Sequence, residues 1–368
     1  MNASCQLAVC SHMRSLLISF LRTTQPRFTA VRRRHYEALL YRSHGHPNDV
    51  IKMEKMTLPD IGAMDVRLRM LAAPVNPADI NMIQGTYGIL PSLPAVGGNE
   101  GLAEVIEVGN QVTTLSPGDW VIPVDAEFGT WRIEAVCNER DLIPVPNDIP
   151  LLSAATIGVN PCTAYRMLHD FIQLKPGDTV IQNGANSAVG QAVIQIAASM
   201  GINTINIVRN RPDLQNLVQK LKALGANYII AEEQLHKSSA ENILKDVPKP
   251  KLALNCVGGP NAAYLVDHLD YGGKLVTYGG MSKKPALLPA KAVIFRNITV
   301  EGFWMTQWKR NNKQDISKLQ SMVADLCELV KTGKFSSPLC TKIPFQDYKQ
   351  ALSAALQPFQ GRKHVLVM

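Results

Sequence analysis

Between Gly184 and Gly190 the chain reads Gly-Ala-Asn-Ser-Ala-Val-Gly, a run of small residues able to do backbone chemistry. It follows a short apolar segment, Thr179-Val-Ile-Gln-Asn183, and precedes residues 191–200, which pattern as a helix stopped by Gly201. Strand, tight turn, helix is the setting in which backbone N–H groups face a dinucleotide pyrophosphate. The match to a G-x-G-x-x-G spacing is imperfect. With Gly190 as the last glycine, Ala185 and Ser187 stand where the first two would be. Small residues also suit a plain packing turn, so the loop alone decides nothing. The next strand, residues 204–208, ends in Arg209-Asn210-Arg211, where NAD-binding folds place an acid for the ribose hydroxyls. Two guanidiniums without a carboxylate suit a 2′-phosphate, which predicts NADPH over NADH as cofactor. The bland reading of that pair is a solvated basic loop.

These residues need a parallel sheet to hold them. Residues 228–231, 252–256, 274–278 and 299–302 are further strand-like runs alternating with helical ones. Residues 213–224 carry Leu214, Leu217, Val218, Leu221 and Leu224 on one helical face, and Gly225 ends the helix. A tail helix turns Ile316, Leu319, Val323, Leu326 and Val330 inward. Upstream the pattern differs. Residues 66–71, 101–108 and 120–123 are short strands set apart by Pro74, Pro77, Pro91, Pro94, Gly97, Gly98, Pro117 and Gly118, which reads as a β-rich, barrel-like domain.

Composition bounds the rest. The 368 residues are 46% hydrophobic and 18% charged, enough for a large core. No apolar run nears the roughly 18 residues of a membrane helix. Lys plus Arg total 38 against 30 acidic residues, a net charge of +8. Arg14, Arg22, Arg27, Arg32, Arg33 and Arg34 lie in an acid-free leader, and without them the balance is 32 to 30. Nucleic-acid binding loses its electrostatic support. An Arg-rich, Ser/Thr-bearing, acid-free start predicts a mitochondrial transit peptide over residues 1–34 and a matrix location. The seven cysteines are scattered, with no C-x-x-C pair, so neither a disulfide framework nor a clustered zinc site is indicated.

Five motifs carry a resemblance. They are Asn76-Pro-Ala-Asp-Ile-Asn-Met-Ile-Gln-Gly-Thr-Tyr-Gly88, Val96-Gly-Gly-Asn-Glu-Gly101, Gly158-Val-Asn-Pro-Cys-Thr-Ala-Tyr165, Tyr278-Gly-Gly-Met281 and Gly302-Phe-Trp-Met305. With them, nearly everything after the leader resembles the medium-chain dehydrogenase/reductase superfamily, and within it the mitochondrial trans-2-enoyl-[acyl-carrier-protein] reductase family. The resemblance implies an α/β fold: a GroES-like β-barrel catalytic domain plus a Rossmann doubly wound parallel sheet. Residues 35–160 and 308–368 would build the first, and 161–307 the second. It also implies a homodimer formed through the Rossmann sheet. The zinc alcohol dehydrogenases of that superfamily carry Gly-His-Glu where this chain has Gly98-Asn99-Glu100. Without the imidazole and a set of thiolates no metal is expected to polarise a carbonyl.

The reaction the resemblance implies is NADPH-dependent reduction of a 2-enoyl thioester, on acyl carrier protein or CoA, with addition at Cβ and protonation at Cα. A phenol is protonated at neutral pH and can supply that proton. Tyr87, between Gly85 and Gly88, is the catalytic tyrosine on this resemblance; read alone it is an aromatic packed on a turn. By the same matching, Asn160 contacts nicotinamide or ribose, and Asn186, Ser187, Ala188 and Val189 line the pyrophosphate. Tyr278, Gly279, Gly280, Met281, Phe303, Trp304 and Met305 flank the nicotinamide end, and Lys363 is a late cofactor contact. The family usually has glycine where Ala188 stands. Phe303, Trp304 and Trp131 are candidates for an apolar acyl groove, with core packing as the alternative. Lys309 and Arg310 are candidates for docking an acidic carrier protein, a solvated charge pair being the plainer reading. Two other functions stay open: a zinc-free quinone or enone reductase, and a non-enzymatic nuclear-receptor-binding factor. No Leu-x-x-Leu-Leu motif supports the last.

Overall fold

A computed structural model describes residues 34–235, 243–357 and 361–368. The leader expected as a transit peptide lies, except for Arg34, outside the described residues. Six strands form one all-parallel sheet: Thr179–Gln182, Asn203–Val208, Tyr228–Ala231, Leu252–Asn255, Lys274–Thr277 and Thr299–Gly302. In order of sequence the sheet reads 3-2-1-4-5-6, so direction reverses between the first strand and the fourth. A ligand crevice is expected beyond the carboxyl ends of the strands at that switch point. The first and fourth strands, Thr179–Gln182 and Leu252–Asn255, are buried throughout, as the middle of a sheet covered on both faces requires, whereas the edge strand Thr299–Gly302 is largely exposed.

The second assembly is antiparallel and barrel-like. A seven-stranded sheet is built on Asp65–Pro74, which pairs with Leu102–Val108, Glu134–Asn138 and Lys363–Val367. Cys340–Pro344 lies parallel to Lys363–Val367 at its edge, so the C-terminal tail closes a sheet begun by the N-terminal strands. A three-stranded sheet, His35–Tyr41 with Lys52–Thr57 and Ala95–Val96, sits beside it and touches it through an Ala38–Arg132 bridge. Residue 307, the expected end of the nucleotide-binding segment, falls inside the helix Met305–Asn311.

Two expectations are corrected here. The helix after the glycine loop spans Ala188–Ser199, starting three residues earlier than the sequence pattern predicted. Ser187 is its N-cap and accepts from Gly190 N–H at 3.0 Å, so Ala188 and Val189 are first-turn helix and not loop. Trp131 lines no groove. It is 0% exposed inside the barrel, beneath Gly97, where a Cβ would lie 2.5 Å from its ring. The glycine pair of Val96-Gly-Gly-Asn is thus a seat for this indole, with Gly98 at φ +90°. No helix among the described residues is long and apolar enough to cross a membrane.

Candidate active site

The loop 183–187 sits at the switch point and is pinned from both sides. Asn183 Nδ2 donates to Asn255 Oδ1 at 2.8 Å, and Cys256 N–H donates to Asn183 Oδ1 at 2.8 Å. Gln191 Nε2 donates to the Asn186 carbonyl at 2.8 Å. At Gly190 a Cβ would lie 2.6 Å from Ala185 Cα, so only glycine lets the helix press this closely on the strand–loop junction. This is the service the last glycine of a dinucleotide fingerprint performs. The N–H groups of Ala188 and Val189 have no intrahelical acceptor and lie at the positive end of a twelve-residue helix. The hydroxyl of Tyr278 is buried beside Cys256 and Ser187, neither of which meets it within ordinary hydrogen-bond geometry. Burial pushes its pKa well above the usual phenol value, so it is a donor facing this loop. Beside it Gly280 opens onto free space, with no atom within 4 Å of where a Cβ would be. A pyrophosphate fits this cradle: unpaired amide donors, a fixed loop and an orphaned hydroxyl.

The residues expected at the ribose end leave the strand that neighbours the first one in the parallel sheet. Arg209, Asn210 and Arg211 follow the strand Asn203–Val208. Asp213, two residues on, holds Arg211 Nε at 2.5 Å, so part of that charge is already balanced. A Cβ on Gly361 would lie 3.9 Å from Arg211 Nη2, which brings the segment before Lys363 to the same place. Met281 is 65% exposed beyond Tyr278.

Tyr87 comes from the barrel and meets the stretch after the last parallel strand. Trp304 Nε1 donates to Tyr87 Oη at 2.8 Å, with the rings edge to face at 5.6 Å. Burial raises the Tyr87 pKa, and hydrogen bonds from Trp304 and Thr306 offset this in part. An indole N–H can only donate. It therefore takes a lone pair of the phenol and leaves the phenol proton free to be given away. Trp304 lies against Gly88, so the glycine after the tyrosine makes room for it. The neighbours of Trp304 behave differently. Phe303 is buried edge to face with Phe171 at 5.8 Å, and Met305 joins the same core. Their side chains line no groove; only their backbone remains to meet a ligand.

Asn160, at the start of its helix, lines a small cavity with Ala188, Gln191 and Ser336. Its Nδ2 donates to Asn76 Oδ1 at 3.0 Å, and Lys363 Nζ reaches the same oxygen at 2.5 Å. Burial lowers the Lys363 pKa, while Glu100 and Asp79 draw it back up. Asn99, where the zinc branch has histidine, is tied to Asp79 through its N–H at 3.0 Å and Nδ2 at 2.6 Å. Burial raises the Asp79 pKa to about 6. Among the described residues no three His, Cys, Asp or Glu side chains gather as metal ligands. Arg310 is not an open docking cation: it pairs with Glu127 at 2.7 Å and with Asp125 at 3.4 Å. Sequence reasoning missed Asn76 and Glu100. The signal lay in Asn76-Pro-Ala-Asp79, a helix start with proline at the first position and an N3 acid. There Asp79 reaches back to Asn76 N–H at 2.7 Å, which leaves the Asn76 amide for other work.

Comparison with known proteins decides the family. Residues 62–147 match the family described as alcohol dehydrogenase GroES-like domain, and 188–324 the family described as zinc-binding dehydrogenase. The human mitochondrial enoyl-[acyl-carrier-protein] reductase is 54% identical over 331 residues, covering 90% of this chain and 88% of the relative. The chain belongs to the mitochondrial enoyl-[acyl-carrier-protein] reductase family. The Arabidopsis thaliana reductase of that name is 42% identical over 320 residues, 87% of this chain and 84% of its own. Among solved structures, the Etr1p complex with NADP and crotonyl-CoA superposes with a TM-score of 0.84 at 35% identity, covering 91% of this chain and all of that one (100%). A mitochondrial 2-enoyl thioester reductase heterodimer from Candida tropicalis gives 0.83 at 34% identity over the same shares, 91% and 100%. The likeness therefore covers 91% of this reductase and is not confined to one of its sheets.

Proposed function

We propose that this reductase saturates the C2–C3 double bond of trans-2-enoyl thioesters, carried on acyl carrier protein or CoA, with NADPH, in mitochondrial fatty acid synthesis. The family membership supports the reaction class, and one observation carries the mechanism: the 2.8 Å bond from Trp304 to the Tyr87 oxygen. NADPH, when bound, supplies the reducing equivalent to Cβ. Charge then builds on the thioester oxygen, and Tyr87 hydrogen-bonds to it or delivers a proton toward Cα. The amides of Ala188 and Val189, with Asn186, Ser187 and the Tyr278 hydroxyl, hold the pyrophosphate. Arg209, Asn210 and Arg211 take the 2′-phosphate. Asn160, Lys363 and the backbone of 279–281 and 303–305 enclose the nicotinamide end.

Leu90 and Leu93, exposed just after Tyr87, offer the apolar surface an acyl or pantetheine chain would meet. With Arg310 neutralised, Lys309 is the cation of that pair left for an acidic carrier, having no ion pair among the described residues. The division into 35–160, 161–307 and 308–368 is proposed as the functional one, supported by the tail strands that rejoin the barrel.

A homodimer is supported by the edge of the parallel sheet. Thr299–Gly302 is its outermost strand; Val300 on it and Val293, Ile294 and Phe295 on the preceding helix Ala290–Arg296 are exposed, Ile294 at 68% and Phe295 at 76%. An unpaired edge with such a patch is a template for a second copy. The test of function is NADPH oxidation with trans-2-enoyl thioesters of increasing length, set against small quinones. Preference for the thioesters is expected; preference for quinones would instead favour a quinone reductase.

A further inference from the structure

Four segments far apart in sequence are joined through Asn76 and one buried carboxylate. Glu100 is 3% exposed, and both of its oxygens accept: Oε1 from Val159 N–H at 2.8 Å, Oε2 from Asn76 Nδ2 at 2.8 Å. A carboxylate accepting on both oxygens has nothing to donate, so Asn76 must turn its NH2 toward it. The Asn76 carbonyl oxygen is thereby aimed the other way, where Asn160 Nδ2 and Lys363 Nζ donate to it at 3.0 and 2.5 Å. Asn160 in turn commits its NH2 inward and is left with its oxygen to present. An ammonium cannot accept and a carboxylate cannot donate, so the direction of every bond between Glu100 and Lys363 is set. Asp79 does not interfere, because its oxygens are held by Asn76 N–H and by Asn99. Val159 immediately precedes Asn160, so the same carboxylate also fixes the entry of the helix that carries it.

The geometry points to Glu100 as the positioning residue that sets, through Asn76, the hydrogen-bonding polarity Asn160 and Lys363 offer to the nicotinamide half of the dinucleotide. This rests on the nucleotide reading above, and it assigns to Glu100 a task in which no metal takes part.

The test compares full-length wild type, Glu100→Gln and the double variant Glu100→Gln/Asn76→Asp. Dissociation constants are measured by fluorescence for NADPH, and by calorimetry for adenosine 2′,5′-bisphosphate, which carries the 2′-phosphate and one phosphate of the pyrophosphate but no nicotinamide half. Melting temperatures are taken without ligand. In Glu100→Gln the introduced amide faces two donors with one oxygen, so Asn76 turns over and sets its NH2 against those of Asn160 and Lys363. NADPH binding is expected to weaken about 10- to 100-fold, the range for losing hydrogen bonds to a charged group. Binding of the bisphosphate is expected to change by less than about twofold. In the double variant the introduced glutamine again has an acceptor for Val159 and a donor for the introduced aspartate, which faces Asn160 and Lys363 with its other oxygen. NADPH affinity is expected to return to within about threefold of wild type. Wild-type NADPH affinity in Glu100→Gln, equal losses for both ligands, or a double variant no tighter than the single would overturn the inference. Failure of wild type itself to bind NADPH would instead remove the nucleotide reading.

Discussion

Replacing Tyr87 by phenylalanine removes one oxygen and leaves the ring against Trp304, where the edge-to-face contact at 5.6 Å persists. Three effects separate. A positioned general acid contributes about 10²–10⁴ to rate, or about 3–5 kcal/mol on the barrier, so kcat is expected to fall by that factor. Trp304 Nε1 loses its 2.8 Å acceptor; the indole is half-buried, so water partly replaces the oxygen and the stability cost is about 1 kcal/mol. The nucleotide cradle is pinned by Asn183, Asn255 and Gln191, none of which touches Tyr87, so NADPH affinity is expected to hold. Because burial raises the phenol pKa above its ordinary 10.0, Tyr87 stays protonated through neutrality. Any loss of wild-type kcat through its ionisation is therefore expected only above pH 10, and the variant lacks that limb. The assay is NADPH consumption at 340 nm with crotonyl-CoA, alongside NADPH titration and thermal melting. A kcat within about threefold of wild type, with folding intact, would refute the role of Tyr87.

Four further outcomes are expected. Arg209→Ala should raise the KM for NADPH about 10- to 100-fold and that for NADH by less than about twofold; Arg211→Ala should do less, since Asp213 already holds that guanidinium at 2.5 Å. Equal effects on both cofactors would remove the 2′-phosphate assignment. Gly190→Val forces atoms to within 2.6 Å of Ala185 and should cost about 1–3 kcal/mol in denaturant unfolding while abolishing NADPH binding. Phe295→Asp should convert a dimer to a monomer in light scattering without loss of fold, and an unchanged mass would exclude that surface. Asp79 has a folded-state pKa of about 6 against 3.8 in a free chain, so the native state binds its proton more readily. Its stabilising contribution is full below 3.8 and is lost as pH rises through 6. Wild type should therefore lose about 2 kcal/mol relative to Asp79→Asn between pH 4 and pH 7, and a difference of opposite slope would contradict the burial of that carboxyl.

The parallel sheet was legible because its strands are short apolar runs alternating with helical stretches, and all six expected strands lie within one residue of those observed at each end. The start of the helix Ala188–Ser199 was not, because alanine and valine after a serine read as turn until the Ser187 cap is seen. Trp131 shows why residue type does not give sidedness: an indole suits a groove or a core, and only the glycine pair packed against it in space decides. Arg310 looked free in sequence because its acids, Asp125 and Glu127, lie more than 180 residues earlier. The Asn76–Lys363 contact spans 287 residues, and no local periodicity encodes it. Long-range polar pairings between strands of different segments carry no signature in a single chain, whereas caps, glycines and apolar periods do.

Reduction of a conjugated thioester here is proposed to need a phenol and a phosphorylated dinucleotide but no metal. Its most direct measurement is turnover of crotonyl-CoA with NADPH deuterated at the transferable position of the nicotinamide, in the presence of a strong chelator, with the product read by mass spectrometry and NMR. One deuterium at C3 of the butyryl group, a solvent proton at C2 and an undiminished rate are expected. Label absent from C3, or activity lost to the chelator and restored by zinc, would contradict the account.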